Sequence, residues 1–196
     1  MEDFLNIAAA NQERAREVIR ESGVVAAWES MGAKVNLVGS LKSGLLMKNR
    51  DVDFHIYTPE LNLEASFAAM ARLAENPGIK RMQYANLIDT EEECVEWHAW
   101  YEDRDRQLWQ IDMIHLRKGS AFDGWAERFT EKVISRLTPE TRKTILRLKY
   151  ETPEQEKVVG AEYYVAVLRD GVHDYAGFSR WRKEHPADGL VEWDDE

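Results

Sequence analysis

The stretch VNLVGSLKSGLLMKNRDVDFHIY, residues 35–57, places the tightest limits on the fold. A strand expected over 34–38 stops at Gly39-Ser40, ten residues separate that pair from Asp51-Val52-Asp53, and a second strand is expected over 52–57. Successive side chains on a strand point to opposite faces, so Asp51 and Asp53 share one face while Val52, Phe54 and Ile56 share the other. Such a strand needs a core on one side and water or a cation on the other. Two neighbouring carboxylates repel each other unless positive charge lies between them. Hard divalent ions take oxygen ligands and are commonly held by one or two carboxylates together with substrate phosphates. In isolation the pair also suits a solvated strand face; the Gly-Ser turn at this distance favours a metal–phosphate site.

The rest of the chain supplies a framework for that site. Phe4, Leu5, Ile7, Ala8, Ala15, Val18 and Ile19 recur at helical spacing and predict a helix over 3–22. A second helix is expected over 62–75, between Thr58-Pro59 and Asn76-Pro77-Gly78, with a third strand within 79–88. The segments ECVEWHAWY (93–101) and LWQIDMIHL (108–116) alternate like strands and flank a charged hexapeptide, which predicts an antiparallel hairpin. Beyond Lys118-Gly119-Ser120 the pattern turns helical, over 121–137, 140–150, 157–170 and 174–184, punctuated by Pro139, Pro153, Gly171 and Pro186. Strands followed by helices predict an α+β fold, with a mixed sheet in residues 1–118 and a helical region over 119–196.

Composition narrows the partners. With 196 residues, 44% of them hydrophobic and 32% charged, the chain is that of an ordinary globular protein. It contains no apolar run of bilayer-spanning length and no leader pattern, so no membrane partner is expected. The lone Cys94 excludes an internal disulfide framework and suits a reducing, cytoplasmic setting. A net charge of −10 argues against an extended nucleic acid, does not oppose a nucleoside triphosphate, and suits a cationic small molecule or a protein as second substrate. The acidic segment 192–196 reads as a solvated tail.

A third carboxylate completes the pattern. Asp112 lies between Ile111 and Met113 in an apolar strand, where an unpaired charge is costly, and a cation shared with Asp51 and Asp53 would compensate it. Gly39-Ser40, Gly44, Asp51-Val52-Asp53 and Asp112, in this order and spacing, resemble the signature of the polymerase-β-like nucleotidyltransferase superfamily, and in particular its small prokaryotic aminoglycoside- and antitoxin-type members. The resemblance covers about residues 30–118. Two departures stand out: Arg50 where many members carry a small residue, and the apolar Leu45-Leu46-Met47 where the linker is usually polar.

The resemblance implies a fold, an activity and roles. Asp51 and Asp53 would hold two Mg²⁺ ions (or Mn²⁺ in their place), one carrying the triphosphate of an NTP such as ATP. Asp112 would bind the second ion and orient or deprotonate a hydroxyl on a small-molecule or protein acceptor. Gly39 would let the backbone approach the phosphates, and Ser40 would offer its hydroxyl and N–H to them. A nucleoside monophosphate is transferred and pyrophosphate leaves. A non-catalytic nucleotide-binding module and a metal-dependent phosphohydrolase are the alternatives.

Other polar and aromatic residues carry less specific signals. His55 shares the face of Asp53, and His98 and His115 lie on the hairpin, with no spacing that favours zinc. Lys42, Arg50, Lys143, Arg147 and Lys149 are candidate phosphate partners. Trp97, Trp100, Tyr101 and Trp109 flank the third aspartate, and core packing is the expectation for most of them. Tyr163-Tyr164, Phe178 and Trp181 read as the apolar side of the C-terminal helices, with Arg180 and Arg182 solvated.

Overall fold

The alternation read from the sequence produces one sheet. The computed structural model describes residues 3–186 and Trp193. Strands β1 (Lys34–Val38), β2 (Asp51–Tyr57), β3 (Ile79–Leu87), β4 (Cys94–Glu102) and β5 (Leu108–Leu116) assemble in the order β1-β2-β5-β4-β3. β2 and β5 run parallel; every other pair is antiparallel. Helices α1 (Asp3–Ser22), α2 (Val24–Glu29) and α4 (Leu63–Ala74) contribute Ala15, Val18, Trp28, Met70 and Leu73 to the core over one sheet face. Val52, Phe54, Ile56, Val95, Ala99, Ile111 and Met113 meet them, each no more than 2% exposed. Burial of one such large side chain stabilises by about 1.5–3 kcal/mol, so this face fixes the register of all the strands.

The C-terminal helices α5 (Trp125–Arg136), α6 (Pro139–Glu151), α7 (Gly160–Leu168) and α8 (Tyr175–Glu184) pack round a second cluster that includes Val133, Ile145, Leu148, Tyr163, Phe178 and Trp181. Local chemistry sets their starts. Thr138 caps α6 through a reciprocal bond pair with Thr141, with Pro139 in the first turn, and the Asp174 side chain accepts the Gly177 N–H at the head of α8. Glycines in the left-handed region make the boundaries that periodicity misses. Gly23 (φ 76°) separates α2 from α1, and Gly124 (φ 68°) delays α5 to residue 125, against an expected start near 121.

Leu45-Leu46-Met47 joins the packing clusters. Leu45 belongs to the helical cluster, Leu46 to the core under the sheet, and Met47 to a smaller group with Phe4 and Leu146. Its backbone oxygens are satisfied by side chains: Gln12 Nε2 donates to Gly44 and Leu46, Asn11 to Met47, and Lys149 Nζ to Leu45. The apolar linker is therefore a structural bolt. Trp193 is buried against Phe129, and its carbonyl accepts from Lys132, so it does not behave as part of a solvated tail; the remainder of 192–196 lies outside the described residues. Among the described residues, no helix is long and apolar enough to cross a membrane.

Candidate active site

The second sheet face opens onto a cleft of 820 Å³ whose far wall is built by α5, α6 and α7. Gly39, Ser40, Asp51, Asp53 and Asp112 all line it. Asp53 and Asp112 are direct partners across the parallel β2–β5 pair, and Asp51 lies two residues before Asp53 on the same face. The five site residues expected from sequence are thus brought together.

The Gly-Ser turn is a short helical turn, α3 (Gly39–Lys42). Gly39 has φ 70°, and a Cβ there would fall 2.2 Å from Asp53 Oδ2, so only glycine lets the turn lie against the carboxylate. The Gly39 N–H donates to Thr130 Oγ1 at 3.2 Å, and the Ser40 backbone amide opposes the rise of the Asp53 pKa. The Ser40 hydroxyl is buried and, among the described residues, without a partner.

Electrostatics follow from the packing. Burial raises the Asp51 carboxyl above its ordinary range and Asp112 adds to this, while Lys149 opposes it. Asp53 is pushed up to about 8, by burial first and then by the charges of Asp51 and Asp112. Asp51 Oδ1 is buried and, among the described residues, has no hydrogen-bond partner. Among the described residues, no three carboxylate, imidazole or thiolate side chains close around one ion-sized point. Even so, an orphaned carboxylate oxygen beside a carboxyl whose ionisation is opposed by burial and by its neighbours' charges is a donor set suited to a hard divalent ion. Asp51 and Asp53 are the residues that fit it.

Asp112 is held from the side. Its Oδ1 meets His98 Nδ1 at 2.5 Å and accepts from Gln110 Nε2 at 2.8 Å. His98 is its partner across β4–β5 and Gln110 lies two residues before it on β5. The sequence signal for both is alternation combined with pairing register, and register exists only once the strands are aligned. His55 Nδ1 lies at hydrogen-bond distance, 2.9 Å, from Glu127 Oε2 of α5, and Asn36 donates to the other Glu127 oxygen at 2.8 Å. Burial pushes the His55 imidazole down against the pull of Glu127; burial would raise the Glu127 carboxyl, but Asn36 and His55 hold it low. With Thr130, these contacts fasten α5 to the sheet beside Asp53. His115 lies on the opposite face, edge-on to Trp28, and takes no part.

Of the five candidate phosphate partners, Arg50 and Lys149 line the cleft. Lys149 Nζ bonds the Leu45 carbonyl and the Tyr164 hydroxyl, at 3.0 and 2.9 Å, and is the cation that lowers both Asp51 and Asp53. Lys48, absent from that set, also lines the cleft. Lys42 is 3.9 Å from Glu131, and Arg147 bonds the His173 carbonyl outside the cleft. Trp97, Tyr101 and Trp109 are core residues; Trp100 is on the open face.

No family model and no curated protein matches the chain. Solved structures do. A cytoplasmic RNA terminal U-transferase superposes with a TM-score of 0.54 at 15% identity, over 80% of this chain and 45% of the other. Cid1, with RNA terminal uridylyl transferase activity, gives 0.55 at 16%, over 80% and 46%. GLD-2 in its complex with RNP-8 gives 0.59 at 10%, over 97% and 73%. The fold is that of the polymerase-β-like nucleotidyltransferases. The chain spans about half the length of the first two of these nucleotidyltransferases. The two RNA terminal transferases among them overturn the expectation, drawn from net charge, of no extended nucleic acid partner. That expectation treated charge as a property of the whole surface and the partner as an extended polyanion. Net charge summed over the whole molecule does not fix the field at one cleft, where local groups decide.

Proposed function

We propose that this chain transfers a nucleoside monophosphate from an NTP, with ATP the first choice, to an acceptor hydroxyl and releases pyrophosphate. The observation that supports this most strongly is the convergence of Asp51, Asp53 and Asp112, from two neighbouring strands, beside the Gly39-Ser40 turn in one cleft. Asp51 and Asp53 would hold a divalent ion, Mg²⁺ or Mn²⁺. When bound, such an ion would supply positive charge against the triphosphate and lower the pKa of the acceptor hydroxyl.

The chain's own groups do the rest. The unpartnered Ser40 hydroxyl donates to a phosphate oxygen, and Gly39 keeps the approach to Asp53 free of a side chain. Lys149, supported by Leu45 and Tyr164, supplies positive charge facing the carboxylates. Asp112, with one oxygen held by His98 and Gln110, turns the other toward the acceptor hydroxyl and receives its proton. A bond forms between the acceptor oxygen and the α-phosphorus, and the bond from that phosphorus to the bridging oxygen of pyrophosphate breaks. The terminal transferases of similar fold make an RNA 3′ hydroxyl the first acceptor to try. The single buried thiol, pushed to about 12 by burial, demands no oxidising compartment, and a cytoplasmic setting belongs to this reading.

The test is pyrophosphate release with Mg²⁺, an NTP panel and acceptor pools, followed by product analysis. Asp51→Asn and Asp53→Asn should each lower the rate by at least about a hundredfold while leaving the circular dichroism spectrum unchanged. Wild-type rates in either variant would remove the proposed roles. Nucleotide hydrolysis without an adduct would make the protein a phosphohydrolase, and binding without turnover would make it a nucleotide-binding module.

A further inference from the structure

Beyond Asp112 the open sheet face continues for two more strands. On β4, Glu96, His98 and Trp100 alternate with the buried Val95, Trp97, Ala99 and Tyr101. Strand pairing arranges this face in rungs. One rung runs Asp53, Asp112, His98, Gln83 across β2, β5, β4 and β3. The next runs Asp51, Gln110, Trp100, Arg81. Asp51 and Asp53 thus stand at the β2 end of two adjacent rows with Asp112 beside them on β5; the Trp100 ring lies two strand spacings (roughly 10 Å) from β2, and the Arg81 guanidinium and Gln83 amide three (roughly 14 Å).

We propose that this half-exposed face of β3 and β4 is the acceptor platform, and that it takes the terminal nucleotides of a single-stranded nucleic acid ending in a 3′ hydroxyl. The proposal rests on the transfer reading above and names its substrate class. The Arg81 guanidinium lies 4.3 Å from the centre of the Trp100 ring, next to a bulge in β3 between Ile79 and Arg81. Arg81 is exposed; among the described residues it pairs with no carboxylate, and its one side-chain bond is to Gln83 Oε1 at 3.1 Å. A planar cation stacked with an indole, flanked by amides, is the chemistry that stacks splayed bases and pairs with the phosphates between them. Glu96, 4.0 Å from His98 Nε2, stands in the rung on the other side of Asp112. Its charge turns a polyanion away from that side and over Trp100 and Arg81. The same charges give a cationic acceptor no reason to cross Arg81.

The test is fluorescence anisotropy with a labelled single-stranded RNA hexamer carrying a free 3′ hydroxyl, and a DNA hexamer as second arm, in the absence of NTP. Trp100→Ala and Arg81→Gln should each weaken hexamer binding by about tenfold, with Trp100→Phe between wild type and Trp100→Ala. Arg81→Gln should also reduce the salt slope by about one, as expected for one lost phosphate contact. NTP affinity, measured by calorimetry with Mg²⁺, should stay within about twofold of wild type, since neither side chain lines the cleft. Equal hexamer affinity in wild type and both variants overturns the proposal. So does a wild-type chain that binds neither hexamer yet transfers to a small molecule or a protein. Loss of hexamer binding in the variants, together with no pyrophosphate release from wild type on any acceptor, keeps the platform and removes the transfer reading. Melting curves identify any variant that has not folded, and Arg81→Lys then replaces Arg81→Gln, with retained binding but weakened stacking expected.

Discussion

Gly39 is where backbone conformation and chemistry constrain each other most closely. Its φ of 70° disfavours any L side chain, and the space a Cβ needs is filled by Asp53 Oδ2. The two penalties are separable because other glycines carry only the first. Gly32 has φ 73°, and a Cβ added there would meet nothing within 4 Å. Gly39→Ala should therefore lower the rate of pyrophosphate release by about a hundredfold, since displacing Asp53 by an ångström disturbs the reacting geometry. Gly32→Ala should bear the same backbone cost, about 1–2 kcal/mol of stability, with the rate unchanged. Similar rates for the two variants in steady-state assays would mean that the close approach of turn and carboxylate has no part in the chemistry.

At the scale of elements, the linker between α3 and β2 couples the sheet to the C-terminal helices. Leu45 is fully buried among α6 and α7 residues although it belongs to the site loop in sequence. Leu45→Ala should destabilise by about 2–5 kcal/mol, a fall in melting temperature of roughly 4–20 °C for a chain of this size. Leu45→Met, which conserves volume, should cost less than about 1.5 kcal/mol. A Leu45→Ala shift within the error of the melting curve would show that the linker is not part of the core. This residue also marks how far the sequence can be read. The strands and the shared face of Asp51 and Asp53 are visible because alternation is local. The role of Leu45-Leu46-Met47 is not, because three adjacent apolar residues that enter three clusters follow no period. Asp112 can be suspected from the cost of burying its charge, whereas His98 and Gln110 depend on register. Lys149 reaches the cleft from a helix nearly a hundred residues beyond Asp53, and no spacing rule links them. Arg182, which reads in sequence as a solvated helix residue, is fixed by Glu162 and Glu156.

Over the whole molecule, two buried groups tie stability to pH in opposite directions. His115 is fully buried, and burial pushes its pKa down to about 4. Its Nε2 bonds Thr58 Oγ1, whose own hydrogen goes to the Glu60 carbonyl, so Nδ1 is left without a partner to receive a proton's charge. The unfolded chain takes up that proton below its ordinary value near 6.5 and the native chain does not, so stability falls as pH drops from 6.5 toward 4. Asp53 acts the other way. Its native pKa near 8 exceeds the ordinary 3.8, so the metal-free native state holds a proton that the unfolded state has lost, and stability falls as pH rises from 4 through 8. Without metal the two slopes oppose each other between pH 4 and 6.5, with His55 adding to that of His115 and Asp51 to that of Asp53, and the Asp53 slope continues from 6.5 to 8. A divalent ion bound as proposed on Asp51 and Asp53 would replace that proton, so Mg²⁺ should raise the melting temperature at pH 8 by several degrees at concentrations well above its dissociation constant, and little at about pH 5. Asp53→Asn should melt higher than wild type in EDTA at pH 8 and lose most of the Mg²⁺ increment, while His115→Gln should flatten the acid side alone. Thermal melts across pH with EDTA or Mg²⁺ measure all three, and a Mg²⁺ increment in Asp53→Asn equal to that of wild type would place the ion elsewhere.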